Sequence, residues 1–523
     1  MTGTALLIRQ ALGRDRFLVP AWIAILTLTC YASAAATSSL YPTVADQVRA
    51  AEGINASPAI IALYGPILDV DSLGELAMTK MTVLYALFVA VMCIVVVRRH
   101  TRGEEESGRL ELVGGTAVAR TAPFMAAVAV GAMASIALGI LAAAANIIGG
   151  LPVSGSVLFA ASWTGVGLVS VGVAATACQL SASSRTCTEI AAAIIGSFYV
   201  LRAVGDSTET TWLSWLSPFG WSTQLSAWSA PRIWVLLLFP ALAAVLLGAA
   251  TVLQARRDLD AGVLAARAGP RSGSPRLRNV VSLTMRLNAP SLLVWTVATA
   301  VLAIVFGAIV PQFDDLLDSP SARAALERIG GAGALDDTVF AAVISVVTVV
   351  LTAFGVSVVN HSATDERSGR TELVLATGTS RQAAFWSTAL VAIAGMTWLL
   401  LVTGAALTLG YTAAGGSPGG ELVAACLAQA PAGWLVLALT VLAWACRTAW
   451  SVVGWVLLAL FLSLGQLGEL LDQPRWVTGI SPYSHSASMP AQAFDPGAAI
   501  LLTVLACLGL LVAARRHGRR DLG

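Results

Sequence analysis

Charge is scarce in this chain. Only 11% of its 523 residues are Asp, Glu, Lys or Arg, against roughly 25% in soluble proteins. Lysine is almost missing: Lys80 stands alone and every other basic residue is arginine. With heavy alanine use, that bias points to a GC-rich bacterial gene. Cysteine is sparse and scattered, at Cys30, Cys93, Cys178, Cys187, Cys426, Cys446 and Cys507, with no C-x-x-C spacing. That argues against a disulfide framework or a metal site and leaves small apolar packing as their role. His100, His361, His485 and His517 lie far apart, and there is no His-Glu-x-x-His or Gly-x-Ser-x-Gly. No catalytic, cofactor-binding or metal-ligating residue is assigned. A Walker A motif needs Gly-Lys followed by Ser or Thr, whereas Lys80 follows Thr79. No polar stretch is long enough for an ATPase domain. These absences exclude a soluble enzyme, a disordered chain and a disulfide scaffold.

What the chain has instead is apolar length. It is 57% hydrophobic, with a mean hydropathy of +0.79. A spanning helix needs about 20 apolar residues, so the runs predict about twelve spans. They fall at 17–40, 77–99, 122–149, 156–180, 188–205 and 232–254, then 291–312, 339–361, 383–412, 421–446, 448–468 and 498–514. The first run is too long for the apolar region of a signal peptide and reads as the first span. The fold class is an all-α polytopic membrane protein.

Arginine placement orients it. With both termini in the cytoplasm, the inner segments carry 24 basic residues and the outer ones 7. Basic residues flanking spans stay inside. The outer segments are acidic, with Asp69, Asp71, Asp314, Asp315, Asp336 and Asp337, which read as solvated loop acids. Residues 255–290 form a cytoplasmic basic linker containing GPRSGSPRLR at 269–278, between a first half, 1–254, and a second, 291–523. A basic loop beside an anionic leaflet needs no nucleic acid as partner.

The two halves look alike. EEESGRLELVGGTAVAR at 104–120 follows the second span, and DERSGRTELVLATGTSR at 365–381 follows the eighth. They share Glu105/Glu366, Ser107/Ser368, Gly108/Gly369, Arg109/Arg370, Glu111/Glu372 and Arg120/Arg381, among others. LSPFGWS at 216–222 matches ISPYSHS at 480–486, and Arg185-Thr186 matches Arg447-Thr448. Matches in one order point to duplication of a six-span unit. Both units start inside, so the repeats are parallel. In each loop Glu precedes Arg by four residues, which supports a short helix with a Glu–Arg pair. Leu110, Leu112 and Val113 are expected to seat it on the bilayer or the spans.

The paired E-x-S-G-R-x-E-L-V loops in a 6+6 chain resemble bacterial ABC-2-type permeases, the group described as exporters of polyketide antibiotics or tetronasin-like multidrug permeases. The segment YPTVADQVRAAEGINASPAIIALYGPILD at 41–69 is similar to that group's first outer loop. The resemblance implies that each loop is a coupling helix docking on a separate ABC ATPase subunit. Glu105, Gly108, Arg109 and Glu111 would form the first ATPase-coupling element, and Glu366, Gly369, Arg370 and Glu372 the second. ATP and Mg would sit on two copies of that partner. The cargo would be a hydrophobic or amphipathic small molecule, such as an antibiotic, exported across the bacterial plasma membrane by alternating access. Arg102-Gly103-Glu104 has no close counterpart in Ala363-Thr364-Asp365, so the two docking sites need not be equivalent. Substrate-binding residues are not assigned.

The rival reading is a proton-coupled secondary transporter of major facilitator type. DERSGR at 365–370 resembles part of that family's loop motif, but His361 stands where its leading Gly belongs. Coupled transport also calls for ionisable residues within the membrane, and only Lys80, Glu189 and Arg202 lie near span ends. Trp212, Trp215, Phe219, Trp221 and Trp228 crowd one outer segment and Trp476 and Tyr483 another. They read as interfacial belts; the resemblance to ABC-2-type permeases implies instead a short re-entrant structure closing the outer mouth.

Overall fold

In the computed structural model the described residues are 3–55, 58–207, 210–258, 261–264, 273–275, 277–310, 332–416, 421–467, 479–486 and 489–520. Among them there are helices, turns and bends and no strands. The chain divides into two compact units, Met1–Gly269 and Pro270–Gly523. Among the described residues eleven helices are long and apolar enough to cross a membrane. The span expected at 448–468 contains a shorter apolar helix, Thr448–Phe461. Residues 468–478 lie outside the described part.

Helix ends follow local sequence. The span read as 188–205 runs longer, as Ser184–Ser207, because polar residues extend both its turns. The second span runs from Leu73 to His100 and contains a π-helical turn at Met81–Tyr85. Trp163 Nε1 donates to the Met81 carbonyl at 3.0 Å there. Before the first span lies a helix the sequence reading did not anticipate, Thr4–Arg14. It is followed by buried Asp15, which pairs with His100 Nε2 at 2.6 Å and Arg99 Nε at 3.1 Å.

In the first unit, Val153–Leu180 is the central helix. It packs against Ala122–Ile148, Leu238–Arg256 and Ala86–His100 and buries residues on every side. A helix apolar all round must be enclosed. Between apolar helices, packing rather than water drives association, so small residues let backbones close up. At Gly165 a Cβ would lie 2.4 Å from the Phe239 ring. In the second unit Arg381–Ala413 lies along Val280–Ile309, and Ala430–Cys446 along Pro496–Arg519. The same pairings of first with third span, and fourth with sixth, occur in the first unit.

At the end of the first unit remote from residue 100, Arg202 is buried. It donates to the carbonyls of Ile61, Ala62 and Leu63 at 3.1, 2.7 and 3.4 Å. These belong to the short helix Pro58–Tyr64, whose last carbonyls have no partners within the helix. Asp206 stands 3.5 Å from the guanidinium, and the Tyr199 ring lies beneath it at 4.7 Å.

Replacing Gly165 by Ala forces the Phe239 ring aside and is expected to destabilise the protein by about 1–3 kcal/mol, the usual range for overpacking. A thermal-unfolding series in detergent checks this; Phe239→Leu on the same chain is expected to restore most of the loss.

Candidate functional site

The two matching loops form the same object. In the first, a helical turn Arg102–Glu106 is followed by Gly108 at φ 69, ψ 0, then by a second short helix, Arg109–Gly114. In the second, the long helix ending at Arg367 is followed by Gly369 at φ 71, ψ 3, then by Arg370–Leu375. Both glycines are left-handed, a conformation costly for residues with a Cβ. A Cβ at either would meet nothing within 4 Å, so backbone conformation alone demands glycine. Each loop is therefore a hairpin.

The hairpins differ where their sequences differ. The first is separated from the preceding helix by Thr101, at φ −117, ψ −90. The second continues its preceding helix through Ala363-Thr364-Asp365 without a break.

The expected Glu–Arg pairs at four-residue spacing do not form. The left-handed glycine lies between the partners, so they are not on one helix. Arg109 instead stands 3.6 Å from Glu104, and Arg370 bonds Asp365 at 3.0 Å. Glu105 turns inward and is buried between two arginines. Arg102 Nη1 donates to its Oε2 at 2.5 Å. Arg257 donates to both oxygens, Nη2 to Oε1 at 2.6 Å and Nη1 to Oε2 at 3.1 Å. The two arginines are themselves held. Arg102 Nε donates to the Cys178 carbonyl at 2.6 Å, and Arg257 Nε to Gln179 Oε1 at 2.6 Å. Every charge in the cluster has a countercharge or an acceptor, the condition for burying ions at all.

Glu366 has matching surroundings. Arg520 Nη2 donates to its Oε1. Trp444 Nε1 donates to Oε2 at 2.9 Å and Thr448 Oγ1 to Oε1 at 3.1 Å. The arginine shared by both loops closes the arrangement: Arg120 Nη2 donates to the Arg257 carbonyl at 3.0 Å, and Arg381 Nη1 to the Arg520 carbonyl at 3.2 Å.

The remaining loop residues face outward. Arg109, Glu111, Arg370 and Glu372 are exposed, and the helices Arg109–Gly114 and Arg370–Leu375 bury no residue. Leu112 is 78% and Leu373 73% exposed. Leu112 is thus not seated on the spans, unlike half-buried Leu110 and Val113.

Arg257 and Arg520 were not among the residues the loop motif singled out. A signal for them exists: Arg-Arg-Asp-Leu occurs at 256–259 and again at 519–522, after the last span of each half. Of the three ionisable residues near span ends, Lys80 is exposed and Glu189 pairs with Arg185 at 3.0 Å. Only Arg202 is buried, against the helix Pro58–Tyr64. The aromatic segments fold into short turns. Ser217 caps Pro218–Gln224, where Phe219 and Trp221 are buried and Trp215 stacks on Trp234 at 5.5 Å. Tyr483, in the turn Pro482–His485, is buried and donates to Thr352 Oγ1 at 2.9 Å. Burial pushes its phenol above the ordinary tyrosine value, opposed by that hydrogen bond. Trp476, Asp314 and Asp315 lie outside the described residues. Among the described residues no three His, Cys, Asp or Glu side chains are grouped to hold a metal.

A family model described as "Multidrug efflux system permease Rv1217c, C-terminal domain" matches residues 18–253 and 277–516. The multidrug efflux system permease protein Rv1217c of Mycobacterium tuberculosis is 36% identical over 528 residues, covering 100% of this chain and 95% of that protein.

Changing Gly369 to Ala is expected to strain the second hairpin by about 1–2 kcal/mol, the cost of a left-handed L-residue. Changing it to Asn, which tolerates that region, should strain it less. Limited proteolysis near residue 369 in purified protein checks the order: Ala cut fastest, then Asn, then glycine.

Proposed function

The chain belongs to the family of the multidrug efflux system permease Rv1217c, and from that premise we propose that it is the membrane subunit of an ATP-driven exporter of ABC-2 type. It is a multi-pass protein of the bacterial plasma membrane and a transporter component rather than an enzyme in its own right. In the proposed complex a separate ABC ATPase, two copies of it, binds ATP and Mg, and this chain supplies the pathway. The cargo is a hydrophobic or amphipathic small molecule of the antibiotic type. The Glu, Ser, Gly and Arg that recur in register in the two loops support its origin as a duplicated six-span unit.

The observation that carries this reading is the hairpin, present in both units with the same left-handed glycine and the same exposed Arg-x-Glu-Leu arm. A protruding leucine flanked by a base and an acid has the makeup of an interface anchor: an apolar centre with a polar rim. Arg109, Glu111 and Leu112 would dock on one ATPase copy, and Arg370, Glu372 and Leu373 on the other. Gly108 and Gly369 set the angle of each arm. Glu105 and Glu366 serve from inside, by holding the hairpin to its own unit. ATP-driven closure of the two ATPases would draw the hairpins together, and the spans would follow into the outward-open state. An ATPase site on another polypeptide accords with the missing Walker A motif.

A tagged pull-down from native membranes with mass spectrometry tests the reading. A Walker A protein at about two copies per chain is expected, and Leu112→Asp with Leu373→Asp should lose at least about 90% of it, since truncated anchor residues cost upward of 2 kcal/mol each. Membrane insertion should be unchanged, because neither leucine is buried. A stable chain with no such partner, whose drug efflux collapses with the proton gradient, would replace this reading with the proton-coupled one.

A further inference from the structure

In each half, one arginine joins the hairpin to the last helix. Arg257 is the first residue after Leu238–Arg256, at φ −110, ψ 152. Arg520 is the first residue after Pro496–Arg519, at φ −81, ψ 136. Extended backbone at that point lets the side chain reach the hairpin instead of continuing the helix. Both guanidinium groups then meet the inward glutamate, Arg257 on Glu105 and Arg520 on Glu366. Both carbonyls are gripped from the hairpin's other flank, by Arg120 and Arg381.

The hairpin is thus clamped before and after its glycine to the single residue that caps the last helix. Its outer arm is buried against nothing. Further attachments reach other elements: Glu104 pairs with Arg14, Glu106 accepts from the Ser184 amide at 2.6 Å and its hydroxyl at 2.7 Å, and Arg367 donates to the Thr448 carbonyl at 2.7 Å. The supports around the two clamps differ. Arg102 and Gln179 serve the first, Trp444 and Thr448 the second. What both halves have is the triangle of inward Glu, cap Arg and flanking Arg. A charge-assisted pair out of water is shorter and stiffer than a solvated one.

We propose that Arg257 and Arg520 are positioning residues for transport, which pass displacement of each hairpin to the last helix of its own half. The inference rests on the hairpins being the coupling elements. Any load applied to the exposed arm reaches Glu105 or Glu366 across one turn of backbone. From there, beside the covalent path into the neighbouring spans, the guanidinium supplies a route to the last helix, which packs along the fourth span, Val153–Leu180 in the first unit and Ala430–Cys446 in the second.

The test uses the full chain in nanodiscs with exposed Cys446 and Cys507 changed to Ser. Nitroxides are placed at Leu373→Cys and Val512→Cys, both exposed. Pulsed EPR is expected to give a narrow distance distribution in the parent chain and a broad one in Arg520→Gln. Arg519→Gln, an exposed neighbour, should leave it narrow, and Arg520→Lys should fall between. An unchanged distribution in Arg520→Gln overturns the link whatever the ATPase does. With the copurified ATPase in proteoliposomes, drug moved per ATP hydrolysed should fall roughly three- to thirtyfold in Arg520→Gln, the span of long-range coupling effects. ATP hydrolysis per complex should be kept, and Arg520→Lys should recover part of the ratio. If transport and hydrolysis decline together, in step with thermal stability, the arginine is only a structural brace and the proposal fails. If no ATPase binds any chain, the coupling reading fails, and the EPR result still decides whether the link exists.

Discussion

Carbonyl groups at the ends of helices govern much of this structure. A helix leaves its last four carbonyls without partners, and in apolar surroundings there is no water to supply them. The chain answers repeatedly with arginine. Arg202 takes three carbonyls of Pro58–Tyr64, Arg102 that of Cys178 and Arg520 that of Trp444. A planar fork with five N–H groups bonds a carbonyl and a carboxylate at once, where the compact ammonium of lysine offers a single point of charge. A chain with one lysine is thereby well supplied for this work, whatever coding bias produced it.

The same economy explains the hairpins. Arg102 and Arg520 each serve a carbonyl with one nitrogen and the inward glutamate with another. The loop motif consequently has two faces with different roles. Glu105 and Glu366 belong to the interior, while Glu111 and Glu372 belong to the surface, although the sequence spells all four with the same letter.

Spans were legible because twenty apolar residues have few alternatives to a transmembrane helix. The pairing of loops was legible because Glu, Gly and Arg recurred in register. The direction of each side chain was not. A four-residue spacing places Glu and Arg on one face only if the helix is continuous, and Gly108 and Gly369 interrupt it. Arg257 and Arg520 were hidden by distance, since Glu105 and its partner lie 152 residues apart. Only the repeated Arg-Arg-Asp-Leu hinted at them. The helix Thr4–Arg14 escaped notice because its apolar face is short and its anchor is the remote pair of Asp15 with His100.

That long separation has a consequence for how the protein is made. Glu105 and Glu366 are synthesised well before the clamp arginines Arg257 and Arg520, 152 and 154 residues later. Contacts so far apart in sequence form late. Each hairpin therefore lacks its bond to the sixth helix while the intervening spans are inserted, holding only its contacts to earlier elements, and the clamp closes when the sixth helix of its half arrives. A half that stalls before that helix carries a glutamate without its distant partner. The clamp thus doubles as a completion mark, set once for each half during biogenesis.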